Sequence, residues 1–317
     1  MLRRATITII AAAALLAPAA AHASKFPTVG MGDQTGSMFS DPRFANLGIR
    51  DVRFVVPYDV LTDPVQTARL DLWLAASRAR HIRPLVAFAH SSRPGRLKHL
   101  PSVREYRRTW RAFHRRYPSV KLVSPWNEAN HVSQPTARHP ARAADYYNVV
   151  RADCRGCKIV AADVLDQSGL QRWLGTFRRH AHGKPRLWGL HNYGDANHFR
   201  SLRRSTTRKF LRYVSGEVWL TETGGVVRFG KGYKGGRKYE RRAAKATKRV
   251  FALAAMSPRI KRVYLYHWQA PARFVTWDSG LVAPDGRLRP AYYTLRSELN
   301  AARRHAGRPR LAPIPAR

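Results

Sequence analysis

The chain has 317 residues and a formal charge of +39, from 58 Lys and Arg against 19 Asp and Glu. With 44% apolar and 10% aromatic residues it can bury a sizeable core, which excludes an intrinsically disordered chain. Such a surface will attract polyanions. The arginines are scattered along helical stretches (Arg107, Arg108, Arg111, Arg115, Arg116) rather than gathered into an arm, so no specific nucleic-acid partner is expected.

The first residues read as an export leader. Arg3 and Arg4 form its basic start, Ile7 to Leu16 its apolar run, and Ala21-His-Ala23 a small-x-small cleavage site. A signal peptide over 1–23, cleaved after Ala23, would make the mature protein secreted and expose it to oxidising conditions. No later run approaches the ~18 apolar residues that a bilayer span needs. The cysteines lie close together in Cys154-Arg-Gly-Cys157, and no second Cys pair exists to complete a zinc site. A local disulfide is expected.

Apolar, β-prone runs then alternate with amphipathic stretches. Strands are expected at 27–33, 51–56, 83–89, 121–126, 158–164, 186–191, 217–220 and 262–266. A short helical turn is expected at 41–47, and helices at 64–80, 103–116, 141–152, 170–180, 202–214, 239–256 and 290–300. In 103–116 the residues Tyr106, Trp110 and Phe113 recur at the spacing of one helix face. Eight strand–helix units predict an α/β fold, a single (β/α)8 TIM barrel over 24–302. A flexible, basic tail is expected over 303–317.

In such a barrel the reactive side chains stand at the C-terminal ends of the strands. Arg53 lies on the second strand and His90 follows the third. Trp126-Asn127-Glu128 ends the fourth, His191-Asn192-Tyr193 the sixth, Thr221-Glu222 the seventh and His267-Trp268-Gln269 the eighth. Two glutamates at one barrel mouth supply what glycosidic-bond hydrolysis needs: an acid for the departing oxygen, and a carboxylate facing the oxocarbenium ion. Asp163, at the end of the fifth strand, suits either an arginine partner or a substrate ligand. Tyr193, Trp126 and Trp268 also suit a packed barrel rim or core.

This order of residues resembles clan A of the glycoside hydrolases, retaining (β/α)8 enzymes with Asn-Glu after strand four and Glu after strand seven. The resemblance covers nearly the whole mature chain, without pointing to one family of the clan. It implies that Glu128 is the acid/base and Glu222 the nucleophile. Asn127 would bond the sugar 2-hydroxyl, Tyr193 would orient Glu222, and Trp268 would floor the reacting sugar's subsite. Arg53 would keep Glu222 ionised, and His90, His191 and Trp126 would contact substrate.

The mechanism needs no metal and no organic cofactor. A triad of His90, His191 and His267 lacks the His-x-His that barrel metal sites draw from strand one. The glycine-rich 227–238 segment lacks a phosphate-loop ending and suits a lid. The expected partner is a β-linked poly- or oligosaccharide, with the charge tilting towards an anionic glycan, and the protein is expected to be a monomer. The alternatives are a non-catalytic glycan-binding barrel and a polyanion-binding protein of the cell envelope.

Overall fold

The computed structural model describes residues 26–271 and 276–316, so the leader expected over 1–23 lies outside the described residues. The strands are β1 (Thr28–Gly32), β2 (Asp51–Pro57), β3 (Arg83–Ala89), β4 (Leu122–Ser124), β5 (Lys158–Ile159) and β6 (Asp163–Leu165). They continue with β7 (Leu187–His191), β8 (Glu217–Thr223), β9 (Arg228–Phe229), β10 (Tyr233–Lys234), β11 (Ile260–Tyr266) and β12 (Trp277–Asp278). The large sheet is parallel and runs β5-β4-β3-β2-β1-β11-β8-β7-β6.

Its two edges, β5 and β6, are halves of one interrupted strand. The first half pairs with β4 and the second with β7. Between them the Val160 amide donates to the Val123 carbonyl at 2.8 Å and the Ala161 amide to the Leu187 carbonyl at 2.9 Å. The fifth strand therefore closes the ring, and the architecture is the expected (β/α)8 barrel. The break accounts for the difference from one continuous strand over 158–164.

Local chemistry explains where the outer helices begin. Asp63 accepts from the Val65 and Gln66 amides ahead of Pro64–Ala79, and Pro64 occupies the position where no amide partner is needed. Ser102 accepts from the Glu105 amide and starts Val103–Arg116, whose buried residues are the expected Tyr106, Trp110 and Phe113. One expected helix, 202–214, splits at Ser205, which caps Thr206–Tyr213.

Leu85, Val160, Leu187, Trp219 and Tyr264 form a small buried apolar cluster of strand residues. The interior also holds charge, and Gly189 on β7 makes room for it. A Cβ at Gly189 would collide with the Asp163 carboxylate and the Thr221 hydroxyl.

The chain's last segment departs from its expectation. The final helix runs on to His305, and the residues beyond it are docked rather than free. The Leu311 amide donates to Asn300 at 2.8 Å, Arg303 to the Pro309 carbonyl at 2.6 Å, and Leu311 and Ile314 pack on the core. Composition pointed to a loose tail, but apolar residues between the prolines and arginines give it something to bury. Cys154 and Cys157 are joined, with an S–S length of 2.06 Å.

Candidate active site

The site is built from the inside outwards. Arg53 on β2 is 1% exposed and its guanidinium spans the barrel. Nη1 donates to Glu222 Oε2 at 2.6 Å, and Nη2 to Asn127 Oδ1 and, at 3.0 Å, to Asp163 Oδ2. Asp163 also accepts from Ser124 Oγ at 3.2 Å and from the Thr221 hydroxyl, and its Oδ1 faces His191 Nε2 at 3.0 Å. The other ring nitrogen of His191 lies 3.2 Å from Glu128 Oε1. Tyr193 completes the ring of contacts, donating its hydroxyl to Glu222 Oε1 at 3.2 Å.

Each of these charges is set by the others. Burial alone would discharge His191, but Asp163 and Glu222 overcome it and push the imidazole up to about 10. Burial likewise opposes ionisation of Asp163, yet the charges of His191 and Arg53 hold it well below the usual carboxylate range. Glu128 follows the same logic. Burial raises it, but the hydrogen bond and charge of His191, aided by His131 and Arg53, leave it below its ordinary value. A general acid working at neutral pH calls for a raised pKa. The imidazolium beside Glu128 reverses the direction.

Glu128 has a left-handed backbone, φ 47°. Such a conformation in a non-glycine residue costs roughly 1–3 kcal/mol and persists where neighbours enforce it. The flanking Asn127 amide is held by the Phe88 carbonyl at 2.6 Å, and the Ala129 amide by the Asp163 carbonyl at 2.9 Å. Those bonds aim the Glu128 carboxylate over the ring. One oxygen each of Glu128 and Glu222 and one nitrogen of His191 lie within 4.8 Å of one another.

Above them opens a cleft of about 610 Å³. Glu128, Glu222 and Tyr193 line it, together with Tyr266, His267 and Trp277. One wall comes from the small antiparallel sheet β10-β9-β12, in which Phe229 is paired with Trp277. The Trp277 ring meets Phe229 edge-on at 4.9 Å and Tyr193 at 4.8 Å. Arg289 holds this sheet by two bonds to Asp278, at 2.7 and 2.8 Å. The segment expected to form a lid is thus a hairpin fixed by strand pairing.

Several expected substrate contacts are corrected here. Trp268 is completely buried against Phe44 and Tyr292, and its indole donates to Asp41 at 3.2 Å, so it cannot floor a subsite. Trp126 is buried among Tyr58, Tyr106 and Tyr146, with its indole nitrogen donating to Gln134 at 3.0 Å. His90 faces the Ser91 carbonyl at 2.8 Å and does not line the cleft. Arg53, Asn127 and His191 are buried beneath the carboxylates they hold, which leaves them positioning groups rather than surface for a ligand. Asp163 is the arginine partner of its two open readings.

The residues missed by sequence reasoning are Tyr266 and Trp277 as cleft walls, whereas His267, named at the end of the eighth strand, does line the cleft. Tyr266 is the last residue of β11, two positions before the tryptophan chosen for its chemistry, and counting to the strand end would have found it. Trp277 stands in a loop-borne strand with no periodicity to mark it.

No protein-family model matches the chain, and no curated protein matches it by sequence. Solved structures do. A family 39 glycoside hydrolase from Bacteroides cellulosilyticus superposes with a TM-score of 0.56 at 13% identity, over 88% of this chain. The match spans 64% of that enzyme's length. Xylanase 10B from Thermotoga maritima gives 0.63 at 10% identity, covering 87% of this chain and 96% of the xylanase. A GH5_18 protein from Streptomyces cattleya, solved with Manβ1-4GlcNAc, gives 0.63 at 17% identity, covering 92% and 83%. The chain shares its fold with glycoside hydrolases. Among its described residues, no helix is long and apolar enough to cross a membrane.

Proposed function

We propose that this chain is a secreted retaining glycoside hydrolase acting on a β-linked poly- or oligosaccharide. The observation that carries the reading is the close pair of carboxylates, Glu128 and Glu222, with oxygens within 4.8 Å of each other at the mouth of the barrel. Retaining enzymes hold their two carboxyl groups ~5–5.5 Å apart, whereas inverting enzymes need ~6.5–9.5 Å to seat a water. The structural neighbours are in keeping with this reading.

Glu222 would attack the anomeric carbon, its lone pair forming the glycosyl–enzyme bond as the glycosidic C–O bond breaks. Glu128 would give its proton to the departing oxygen. In the second half-reaction Glu128 takes a proton from water, and the resulting hydroxide displaces Glu222 with net retention. Arg53 and Tyr193 fix the two oxygens of Glu222, and His191 fixes Glu128.

The test is hydrolysis of an array of aryl β-glycosides and β-linked glycans, with the first-formed anomer read by proton NMR. The β-anomer is expected; the α-anomer would exclude the double displacement. Because His191 depresses Glu128, the acid form should be scarce in the free protein at neutral pH. The kcat/KM profile, which reports the free enzyme's groups, should therefore peak on the acid side of pH 7 and fall as pH rises. A maximum above neutrality would contradict that arrangement.

Trp277 presents the indole that Trp268 cannot. Trp277→Ala is expected to raise KM for a polymeric substrate about tenfold, equivalent to ~1.4 kcal/mol of lost binding, while kcat on a short aryl glycoside changes little. Steady-state kinetics on the two substrates checks this.

A further inference from the structure

A second depression, larger than the catalytic cleft, lies beside it. It has a volume of about 1270 Å³ and runs between the helices Leu170–His180 and Thr206–Tyr213. One side carries Arg172, Arg178 and Arg179, and the other Arg204, Lys209 and Arg212, all exposed. Among the described residues, none of these six forms an ion pair with a carboxylate. Arg200, a seventh cation, lies 3.6 Å from the buried Asp195. Asp166 is the single acid in the lining, and burial together with Asp195 pushes it up to about 7.

The concavity follows from the sequence. Gly175 and Thr176 are small and keep the floor low between Arg172 and Arg179. Those arginines are seven positions apart, two turns along one helix face, or ~10 Å. The Arg178 guanidinium crosses to the Tyr213 carbonyl at 2.8 Å and ties the walls together. The groove also joins the reaction site. Asp166 follows β6 and lines both depressions, and its carboxylate accepts from the Gly194 and Asp195 amides at 3.0 and 2.6 Å, next to Tyr193.

We infer that this groove between the two helices is a binding track for an acidic polysaccharide, one bearing carboxylate or sulfate groups, whose chain continues into the carboxylate cleft. The inference rests on the glycosidase reading for its choice of a glycan, because only the junction at Asp166 ties the cations to sugar chemistry. A basic surface by itself would suit any polyanion. Here the cations form two facing rows that lead to the site of bond cleavage.

The test uses the full mature protein and fluorescently labelled polymannuronate, a β-linked polymer of carboxylate sugars, with neutral β-mannan and a DNA duplex as comparators. The triple variant Arg172→Gln/Arg179→Gln/Lys209→Gln is set against Arg104→Gln/Arg107→Gln/Arg115→Gln, which removes the same charge from a helix elsewhere on the barrel. By analogy with counterion release from nucleic acids, the groove variant should weaken polymannuronate binding about tenfold or more and flatten the log Kd–log salt slope by roughly 2–3. The distant variant should change Kd by less than about threefold and leave the slope intact. Equal losses in both variants would mean that diffuse surface charge binds the polymer, and would overturn the track. DNA binding as tight as that of polymannuronate, and equally sensitive to the groove variant, would also overturn it in favour of a nucleic-acid partner. Hydrolysis of aryl β-glycosides and β-linked glycans, neutral and uronic-acid-bearing, by the unaltered protein scores the glycosidase reading separately. Its absence from the whole array would sink that reading without touching the polymannuronate comparison.

Discussion

Glu222→Ala is expected to lower kcat/KM on an aryl β-glycoside by on the order of 10⁵-fold, because the proposed mechanism routes the covalent intermediate through Glu222. Glu128→Ala should cost less, ~10²–10⁴-fold, the range for loss of a positioned general acid–base. The two variants should also differ in kind. With a leaving group as acidic as dinitrophenol, protonation is no longer needed. Glu128→Ala should then release a rapid burst of phenol and stall at the glycosyl-enzyme, whereas Glu222→Ala shows no burst. Added azide should intercept the two variants from opposite faces, giving the β-glycosyl azide with Glu128→Ala and the α-anomer with Glu222→Ala. Normal turnover by either variant, or the same azide anomer from both, would remove the assigned division of labour.

Asp163→Ala should be strongly destabilising. Asp163 is completely buried and is the shared counter-ion of Arg53 and His191. Its removal leaves Arg53 with Glu222 and His191 with Glu128 but takes away the anion they share, and breaking a buried pair in this way costs ~3–5 kcal/mol. In a protein of this size that corresponds to a fall in Tm of roughly 6–15 °C. Asp163→Asn keeps the shape but loses the charge, so it separates packing from electrostatics.

The decisive readout in Asp163→Asn is His191. Its ring, raised to about 10 in the intact protein, should titrate closer to its ordinary value in a nitrogen-15 NMR experiment. A raised imidazole binds its proton more tightly when folded than when unfolded. Its contribution to stability is therefore complete below the unfolded value of ~6.5 and disappears as pH climbs towards the folded one. Asp163 and Glu128, held low, contribute in the opposite sense and lose their contribution on acidification. Urea midpoints should fall on both sides of mildly acid pH. The alkaline fall should flatten in Asp163→Asn, and an unchanged alkaline limb would show that His191 is not its source.

The barrel was legible because its cues are local. Tyr106, Trp110 and Phe113 announce a helix face, Asp63-Pro64 announces a start, and Val86 and Phe88 lie on a strand buried from both sides. Glu128 and Glu222 were legible because each follows an apolar run and acids are few. What escaped was set by the third dimension. The eighth strand was read to its end at Tyr266, but which way Trp268 turns beyond that end is decided by Asp41, Phe44 and Tyr292, distant in sequence. That Arg53 and His191 would lie beneath the glutamates, rather than beside a ligand, depended on how deeply each strand reaches into the interior. The lowering of Glu128 needed a partner 63 residues away. Trp277 joined the site through a three-stranded sheet whose members are two residues long, too short to leave a pattern.

The interrupted fifth strand has a bearing on how activity and folding are joined. Its second half carries Asp163, the hub on which Arg53 from one side of the ring and His191 from the other converge. Where the seam between β4 and β7 is shut, the hub is in place and both glutamates are aimed. Where it gapes, the cations lose their common anchor even if every helix remains formed. Under the proposed function, catalytic competence would be a latch reading of the ring, and partial opening at Val160–Ala162 should silence turnover before circular dichroism registers any loss of structure.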